Sequence, residues 1–277
     1  MKQGHIYLPD ELKTLQCELL EILNEIDVIC KKHNIDYFAV GGTLLGAIRH
    51  HGFIPWDDDI DIGMLRSDYD KFISIAKNEL PNDYFVLNFN ENKNFPASFT
   101  KICKNNTTFI EYETRKLNYP HCLFVDIMPY DQTYADNNKR IKHLKKGKLY
   151  HQLFKSKILW GVSSSSSNRQ KKFGKIIRPL LHILLLPFPK KSIYSKMIKN
   201  MSKYNETISG EYITFWSEER FANPFDYYFP LKKVSFEDTE IPIPNNYEEI
   251  LKKQYGNYKE LPPEEKRVSH SPYIFKL

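Results

Sequence analysis

Four of the five positions from 57 to 61 are aspartates, and this cluster constrains the chain more than any other feature. The surrounding sequence, WDDDIDIG, alternates like a β-strand, in which residues two apart share a face. We therefore expect Asp57, Asp59 and Asp61 on one face and Asp58 on the other. Three carboxylates on one face repel each other strongly unless a cation neutralises them. Because carboxylate oxygens suit Mg²⁺ or Mn²⁺ better than zinc, the cluster predicts a magnesium or manganese site.

A pair of glycines, Gly41 and Gly42, follows an apolar run at 37–40 that we interpret as a buried strand. Thr43 comes next, and residues 44–49 are interpreted as a short helix. Glycines after a strand let backbone amides approach a phosphate, and the N-terminus of the next helix favours an anion. A strand, a glycine turn, a short helix and a D-x-D strand form the layout of the nucleotidyltransferase fold. Gly41, Gly42 and Thr43 are therefore candidate substrate-binding residues.

Hydrophobic periodicity predicts the remaining elements. Apolar residues recur at steps of three and four from Leu12 to Ile29, which indicates one stripe of a helix over residues 10–33. A further helix is predicted at 67–80. The pattern also predicts strands at 84–89, 98–103 and 123–128, a hairpin at 234–243, and a helix at 246–255. This order of elements is typical of an α+β fold with a mixed β-sheet flanked by helices.

Charge is strongly segregated along the chain. Between Asp136 and Glu206 there are 18 Lys or Arg and no Asp or Glu. The rest of the chain therefore holds 40 − 18 = 22 basic residues against 34 acidic ones. A basic surface attracts phosphates, nucleic acid or anionic lipid. We predict a catalytic core at 1–135, a basic helical insertion at 136–206, and a C-terminal part at 207–277 that completes the catalytic domain.

An apolar run at 176–188 lies inside the basic segment and is interrupted by two prolines. It is too short to span a bilayer, so it fits either a helix in a membrane interface or a buried helix of the insertion. The N-terminus lacks the apolar stretch of a signal peptide. Four scattered cysteines, without a CxxC pair, are typical of a reducing compartment. We therefore expect a cytoplasmic protein in peripheral contact with the inner face of the plasma membrane.

The motif around the aspartates resembles the signature of the LicD family, which includes bacterial phosphocholine transferases and, distantly, the animal fukutin-related proteins. The resemblance rests on residues 40–61, VGGTLLGAIRHHGFIPWDDDID, and on FVDIMP at 124–129. It extends to YG at 255–256 and LPPEEKR at 261–267. It covers about residues 10–135 and 230–270 and leaves the basic segment unmatched. His51 stands where the family usually has glycine.

This resemblance implies a nucleotidyltransferase-like fold that moves a phospho-alcohol, such as phosphocholine, from a CDP-activated donor to a glycan hydroxyl. Asp59 and Asp61 match the metal-binding pair of the family, and Asp126 is expected as the third carboxylate of the metal site. Asp57 precedes the pair on the same face. We expect Asp126 or Asp57 to take the proton from the acceptor hydroxyl. The predicted catalytic residues are therefore these four aspartates, with Mg²⁺ or Mn²⁺ as cofactor.

Three further side chains are candidate substrate contacts. Arg49 and Lys101 are cations that either bind the donor phosphates or are ordinary surface charges. Trp56 adjoins the aspartates in sequence and is expected in an aromatic cage for a trimethylammonium group. The expected acceptor is a lipid-linked precursor of a cell-surface glycan, such as a teichoic acid, a capsule polysaccharide or a lipopolysaccharide.

Two other functions compete with this interpretation. The first is nucleotidyl transfer to a small molecule or to RNA, for which the basic segment would supply a binding surface. That segment lacks the interleaved aromatic residues of RNA-binding modules, so we expect no nucleic-acid partner. The second is a binding or structural protein that kept the fold without catalysis. A repulsive carboxylate cluster has no evident use in such a protein.

Overall fold

The protein is described here by a computed structural model that covers residues 5–159, 177–206, 210–214 and 217–277. The α-helices are α1 (Pro9–His33), α2 (Gly41–His50), α3 (Arg66–Glu79), α4 (Asn137–Ile158), α5 (Arg178–Leu184), α6 (Lys190–Met201), α7 (Phe225–Tyr228) and α8 (Tyr247–Tyr255). The strands are β1 (Phe38–Ala39), β2 (Asp61–Leu65), β3 (Tyr84–Leu87), β4 (Thr100–Lys104), β5 (Thr108–Ile110), β6 (Leu123–Thr133), β7 (Glu211–Ile213), β8 (Asn223–Pro224), β9 (Lys232–Phe236), β10 (Thr239–Ile243) and β11 (Ile274–Lys276).

The main sheet has the strand order β1-β2-β6-β4-β3, and β7 and β8 extend it from the far end of β6. Strands β2 and β6 are parallel, whereas the β1–β2, β6–β4 and β4–β3 pairs are antiparallel. Two antiparallel strand pairs lie outside this sheet: the β9–β10 hairpin, and β5 with β11 from the other end of the chain. The predicted α+β class with a mixed sheet is therefore confirmed.

The register of the central strands sets three predicted site residues side by side. Asp61 on β2 is the Cα partner of Asp126 on β6. Asp126 is in turn the partner of Lys101 on β4. Because residues that pair across a sheet share a face, the three side chains form one row across adjacent strands.

Helix α1 covers the sheet with the apolar stripe that the sequence predicts. Leu15, Leu19, Ile22 and Ile26 have no exposed surface. The Glu11 carboxylate accepts a hydrogen bond from the Leu8 amide at 2.9 Å, which satisfies one of the donors left open at a helix N-terminus. The predicted helix at 10–33 is confirmed, with its first residue one position earlier.

Two boundaries near the site differ from the prediction. The aspartate segment was expected to be a strand throughout, but β2 begins only at Asp61. The Asp57 amide donates to the Ile54 carbonyl at 2.8 Å in a turn, and the first hydrogen bond with β6 is the one from the Asp126 amide to the Ile60 carbonyl at 2.9 Å. Helix α2 begins at Gly41 rather than at residue 44. It ends before His51, whose φ of +55° lies in the left-handed region that favours glycine.

The described part of the basic segment is helical and has its own small core. Phe154 of α4 and Met197 of α6 are fully buried in this core, together with Phe89 from the sheet region. The main core instead combines residues from both ends of the chain, from Leu15 to Tyr258. Residues 160–176 of the predicted insertion lie outside the described ranges. Helix α5 contains no buried residue, so the interpretation of this helix as a buried one is wrong.

Two further findings concern cysteines and membrane spans. Cys103 on β4 and Cys122, just before β6, are paired as a disulfide, which their spacing in the sequence did not indicate. Within the described residues, every helix is too short or too polar to cross a membrane.

A carboxylate cluster as candidate active site

The aspartate segment meets the C-terminal segment of the chain at His270. Donor atoms of Asp57, Asp59 and His270 all lie within 4.8 Å of one another, a spacing at which one cation can contact all three. Among the described residues, this is the one group of three acidic, histidine or cysteine donors with that spacing. His270 Nδ1 lies 3.0 Å from Asp58 Oδ1 and 3.3 Å from Asp59 Oδ2. No sequence pattern indicates this contact.

Asp58 has a different environment from its two neighbours. Its carboxylate is buried and accepts hydrogen bonds from the Tyr7 hydroxyl at 2.9 Å and the His270 amide at 2.9 Å. These donors, together with the His270 ring, provide hydrogen-bond partners for both oxygens of the buried carboxylate. Asp58 therefore connects Tyr7, near the N-terminus, and His270, near the C-terminus, to the aspartate segment. Asp57 and Asp59 instead belong to the group of side chains that could contact a cation.

The start of α2 packs directly against the carboxylates. Gly41 has φ +56°, and a Cβ there would lie 3.5 Å from Asp61 Oδ2. A Cβ on Gly42 would lie 2.6 Å from Asp57 Oδ2, too close for any side chain without movement of the carboxylate. Thr43 Oγ1 accepts a hydrogen bond from the Asp61 amide at 2.8 Å. The predicted glycines therefore lie at the cluster, and Thr43 fixes the helix start to β2.

Lys101, the third member of the row with Asp61 and Asp126, is buried and is not a surface charge. Its Nζ lies 3.5 Å from Asp126 Oδ1 and 3.4 Å from Glu111 Oε2. The same ammonium lies 3.0 Å from the centre of the Phe124 ring. Among the described residues, Asp126 Oδ1 has no hydrogen-bond partner although it is buried. Such an atom is costly unless a further cation or donor reaches it.

A cleft of about 240 Å³ opens over these groups. Its lining includes Asp59, Asp126 and His270. Aromatic and acidic side chains make up most of the remaining wall, namely Phe109, Glu111, Tyr112, Glu113 and Phe124. A second cavity of similar size shares Glu111 and Glu113 with the cleft and extends to the last turn of α4. The two spaces therefore adjoin.

The pKa values of the cluster report an excess of buried negative charge. Burial, with the neighbouring carboxylates, raises the pKa of Asp59 to about 7 against the opposing effect of His270. Burial also raises the pKa of Asp126 to about 7, although Lys101 lowers it. Burial is also the main cause that raises the pKa values of Asp61 and Asp57. The carboxylates thus resist ionisation together unless more positive charge is supplied.

His270 supplies part of that positive charge. Its hydrogen bond to Asp58 and the nearby Asp59 and Asp57 raise its pKa to about 10, against the effect of burial. Without a metal ion the imidazole is therefore a cation beside the carboxylates. This imidazolium and the Lys101 ammonium are two positive charges against four aspartates, and Asp126 Oδ1 has no hydrogen-bond partner among the described residues. The donor set of carboxylate oxygens fits a hard divalent cation such as Mg²⁺ or Mn²⁺.

Arg49 and Trp56 lie at the edge of the cluster, where the C-terminal segment packs. Arg49 donates hydrogen bonds to the carbonyls of Tyr258 and Glu260 at 3.0 and 3.2 Å. The Arg267 guanidinium lies 5.6 Å from the centre of the Trp56 ring. The structure therefore brings the four aspartates, the glycines and Lys101 together, and it places Arg49 and Trp56 beside them.

Tyr255 is a further residue that sequence reasoning missed. The tyrosine lies at the end of α8, and its side chain is partly exposed. Burial of the hydroxyl, followed by the charges of Asp61, Asp57 and Asp59, raises its pKa to about 12. The YG motif at 255–256 was the available signal, but it gave no reason to connect this ring with the aspartates.

A mixed sheet whose central strands hold carboxylates against a glycine-initiated helix is the site of a phosphotransferase-type enzyme, and known proteins specify the family. The LicD/FKTN/FKRP nucleotidyltransferase domain matches residues 34–160. Lipopolysaccharide cholinephosphotransferase LicD of Haemophilus influenzae is 30% identical in an alignment of 274 residues, and this alignment covers 94% of this chain and 95% of that protein. The chain therefore belongs to the LicD family and is a LicD-like phosphotransferase.

Two other proteins show shorter similarities. Human ribitol 5-phosphate transferase FKRP is 37% identical over 65 residues, which are 22% of this chain and 13% of that protein. An uncharacterised protein of Rickettsia typhi is 44% identical over 62 residues, which are 22% of this chain and 19% of that protein.

Proposed function

We propose that the protein transfers phosphocholine from CDP-choline to a hydroxyl of a cell-surface glycan precursor, with Mg²⁺ or Mn²⁺ as cofactor. The acceptor class is a lipopolysaccharide, capsule or teichoic-acid-type precursor on a lipid carrier. In this proposal, residues 1–135 and 207–277 form a nucleotidyltransferase-like catalytic domain and residues 136–206 form an insertion. The enzyme acts in the cytoplasm at the inner face of the plasma membrane.

The buried Asp126 Oδ1, which lies 3.5 Å from the Lys101 ammonium but has no hydrogen-bond partner among the described residues, is the observation that carries the metal-dependent part of the proposal. It lies in the same row as Asp61, next to the group formed by Asp57 and Asp59. We assign Asp59, Asp61 and Asp126 to the cation; of these three, Asp59 belongs to the group whose donor atoms already lie within 4.8 Å of one another, and Asp61 and Asp126 lie beside it on the central strands. When bound, such an ion would neutralise charge on the diphosphate of the donor.

The protein groups around the cation site support roles in binding and proton transfer. The helix start at Gly41 and Gly42 offers backbone amides to a phosphate, and the side-chain atoms nearest to the two glycines are the carboxylates of Asp61 and Asp57. The Lys101 ammonium lowers the pKa of Asp126, so this carboxyl group can ionise near neutral pH. A proton from the acceptor hydroxyl passes to a carboxylate oxygen of Asp126 or Asp57, since both have raised pKa values suited to a general base.

The aromatic and acidic wall of the cleft supports a cationic alcohol. Phe109, Tyr112 and Phe124 line the cleft together with Glu111 and Glu113. Aromatic faces and carboxylates both attract a quaternary ammonium group. Arg49 and Trp56 are assigned to the outer edge of the donor site, where they hold the C-terminal segment in place.

A donor screen tests this proposal. The protein is incubated with Mg²⁺, a glycan acceptor and CDP-choline, CDP-ethanolamine, CDP-glycerol or CDP-ribitol, and products are identified by mass spectrometry. We expect CMP release and a phosphocholine mass gain on the acceptor with CDP-choline. Incorporation of a nucleoside monophosphate from CTP or ATP, without CMP release from any CDP-alcohol, would instead show a nucleotidyltransferase. The substitution Asp83→Asn, at an exposed position, serves as the control for substitutions in the cluster.

A further inference from the structure

We propose that α5 and the turn after it form a docking surface that inserts into the interface of an anionic lipid bilayer. We define this docking surface by five apolar side chains, namely Leu180, Ile183, Leu184, Leu186 and Phe188. The inference goes beyond the proposed reaction, and its test requires neither donor nor acceptor.

The five side chains are exposed to an unusual degree for large apolar residues. Their exposed fractions range from 52% for Phe188 to 69% for Leu184. Leu180, Ile183 and Leu184 are spaced by three and four residues, so they share one face of α5. A single exposed apolar side chain is ordinary, but five within nine residues form a patch of the kind that marks an interaction site.

The patch is held in place by contacts with α4. The Lys157 ammonium donates hydrogen bonds to the carbonyls of Leu185 and Leu186 at 2.7 and 3.1 Å. These are backbone acceptors just past the end of α5, where a cation also complements the helix dipole. His182 Nδ1 donates to the Ser156 carbonyl at 3.2 Å. The inner side of the segment is therefore fixed, and the apolar side chains point away from it.

The charges around the patch favour anionic lipid as the partner. Lysines with exposed side chains lie on both neighbouring helices, at Lys142, Lys145 and Lys146 on α4 and at Lys191, Lys196 and Lys199 on α6. No acidic residue occurs between Asp136 and Glu206 in the sequence, and Glu113, from outside this segment, acts on Arg178 and Lys155. An apolar helix face within a lysine-rich segment is the arrangement of interfacial helices, whose lysines contact acidic headgroups.

Other partners fit these observations less well. Two copies of the chain that met through this patch would bring two strongly basic surfaces together, which is unfavourable. Nucleic acid would use the lysines but would leave the five apolar side chains in water. A bilayer interface accommodates both features at once.

The position of the patch relative to the cleft gives the docking a consequence. The cavity that adjoins the carboxylate cleft is lined by Lys155 and Leu159, at the end of α4. Helix α4 also packs against α5. If the proposed function holds, a lipid-linked acceptor therefore reaches the cleft from the side on which the protein meets the membrane.

Vesicle co-sedimentation tests the docking surface in the full-length protein. Vesicles of phosphatidylcholine alone are compared with vesicles that also contain phosphatidylglycerol. We expect binding to the anionic vesicles, weakened by salt, and little binding to the neutral ones. The double substitution L184S/F188S should weaken binding by about tenfold or more, because it removes two of the inserting side chains. Val28→Ser, at a similarly exposed position on α1, should leave binding unchanged.

A second measurement distinguishes insertion from surface adhesion. Phe188→Trp should show a blue-shifted fluorescence change with anionic vesicles, beyond that of the parent protein, and quenching by lipids brominated in their acyl chains. Val28→Trp should show neither. Equal vesicle binding by L184S/F188S and the parent would overturn the inference. So would a concentration-dependent dimer in light scattering that the double substitution disperses, or preferential binding of RNA over anionic vesicles.

Discussion

The carboxylate site and the helices α4 to α6 carry opposite charges in opposite surroundings. In the site, negative groups are buried, and burial raises the pKa values of Asp59 and Asp126 to about 7. In the helices, lysines such as Lys142 and Lys191 are exposed and remain in water. Buried like charges are costly and are retained where they bind something, whereas exposed charges cost little and act over distance. This contrast is consistent with our proposal that the site holds a cation, and the helices present a charged surface.

Loss of a central carboxylate should have the largest effect on activity. Asp61→Asn or Asp126→Asn should reduce turnover by about a hundredfold to a thousandfold, because each removes a charge aimed at the reacting phosphate. Without metal, Asp61→Asn should raise Tm, since it relieves repulsion among the carboxylates, whereas Asp126→Asn also removes the partner of the buried Lys101 and should not. Initial rates and thermal melts test both effects. Unchanged turnover, with Asp83→Asn as control, would remove the aspartates from the active site.

A substitution at Lys101 tests whether this residue is a buried counter-ion of Asp126 or an ordinary surface charge. Lys101→Met should lower the free energy of unfolding by about 3 kcal/mol, because it leaves Asp126 and Glu111 without their cation. The pKa of Asp126 should rise further, so the acidic limb of the pH–rate profile should move to higher pH. Denaturant unfolding and pH–rate profiles measure these changes. Lys142→Met, at an exposed position on α4, should change neither.

Gly42 tests the close approach of α2 to the carboxylates. Gly42→Ala should lower activity by about tenfold, because the new Cβ displaces the Asp57 carboxylate from its present position. Stability should change little, since the obstructing atom is the end of a side chain that can move. The matched control is Gly147→Ala in α4, where a Cβ would lie 3.4 Å from Asn200 Nδ2. Full activity of the Gly42 variant would place substrate elsewhere.

The smallest predicted effect is a pH-dependent change in Tm of a few degrees. The pKa of Asp59 in the folded protein is about 7, above the value of about 4 expected in the unfolded chain. The folded state therefore binds the extra proton, and its stabilising contribution is complete below about pH 4 and lost as pH rises through about 7. The Tm advantage of Asp59→Asn over the parent, both without metal, should grow over this range. A constant difference would contradict the assignment.

Much of the fold could be predicted because it follows from local patterns. The stripe from Leu15 to Ile26 defines α1, and the alternating sequence around the turn at 237–238 defines the β9–β10 hairpin. The strand predicted from residue 56 was wrong before Asp61, because hydrogen bonds to Tyr7 and His270 hold Asp58 in a non-sheet segment. Such contacts depend on the ends of the chain and leave no periodic signal.

The aspartates of the candidate site and the glycine turn beside them were predictable from the sequence, but the contacts of His270 and Lys101 were not. Asp57, Asp59 and Asp61 are neighbours in sequence, and the apolar context of Asp126 indicated a buried strand. His270 contacts Asp58 across 212 positions, in a segment without regular structure, and single-sequence patterns do not report such a distance. The same limit applies to Lys101, whose burial between Asp126 and Glu111 is a product of sheet register.

The most direct test of the central claim is the rate of CMP release from CDP-choline with a glycan acceptor. Three samples are compared: the protein with Mg²⁺, the protein with EDTA, and Asp61→Asn with Mg²⁺. The account predicts rapid CMP release in the first sample and almost none in the other two, with phosphocholine recovered on the acceptor. Equal CMP release in all three samples, or none in the first across every acceptor class named above, would contradict it.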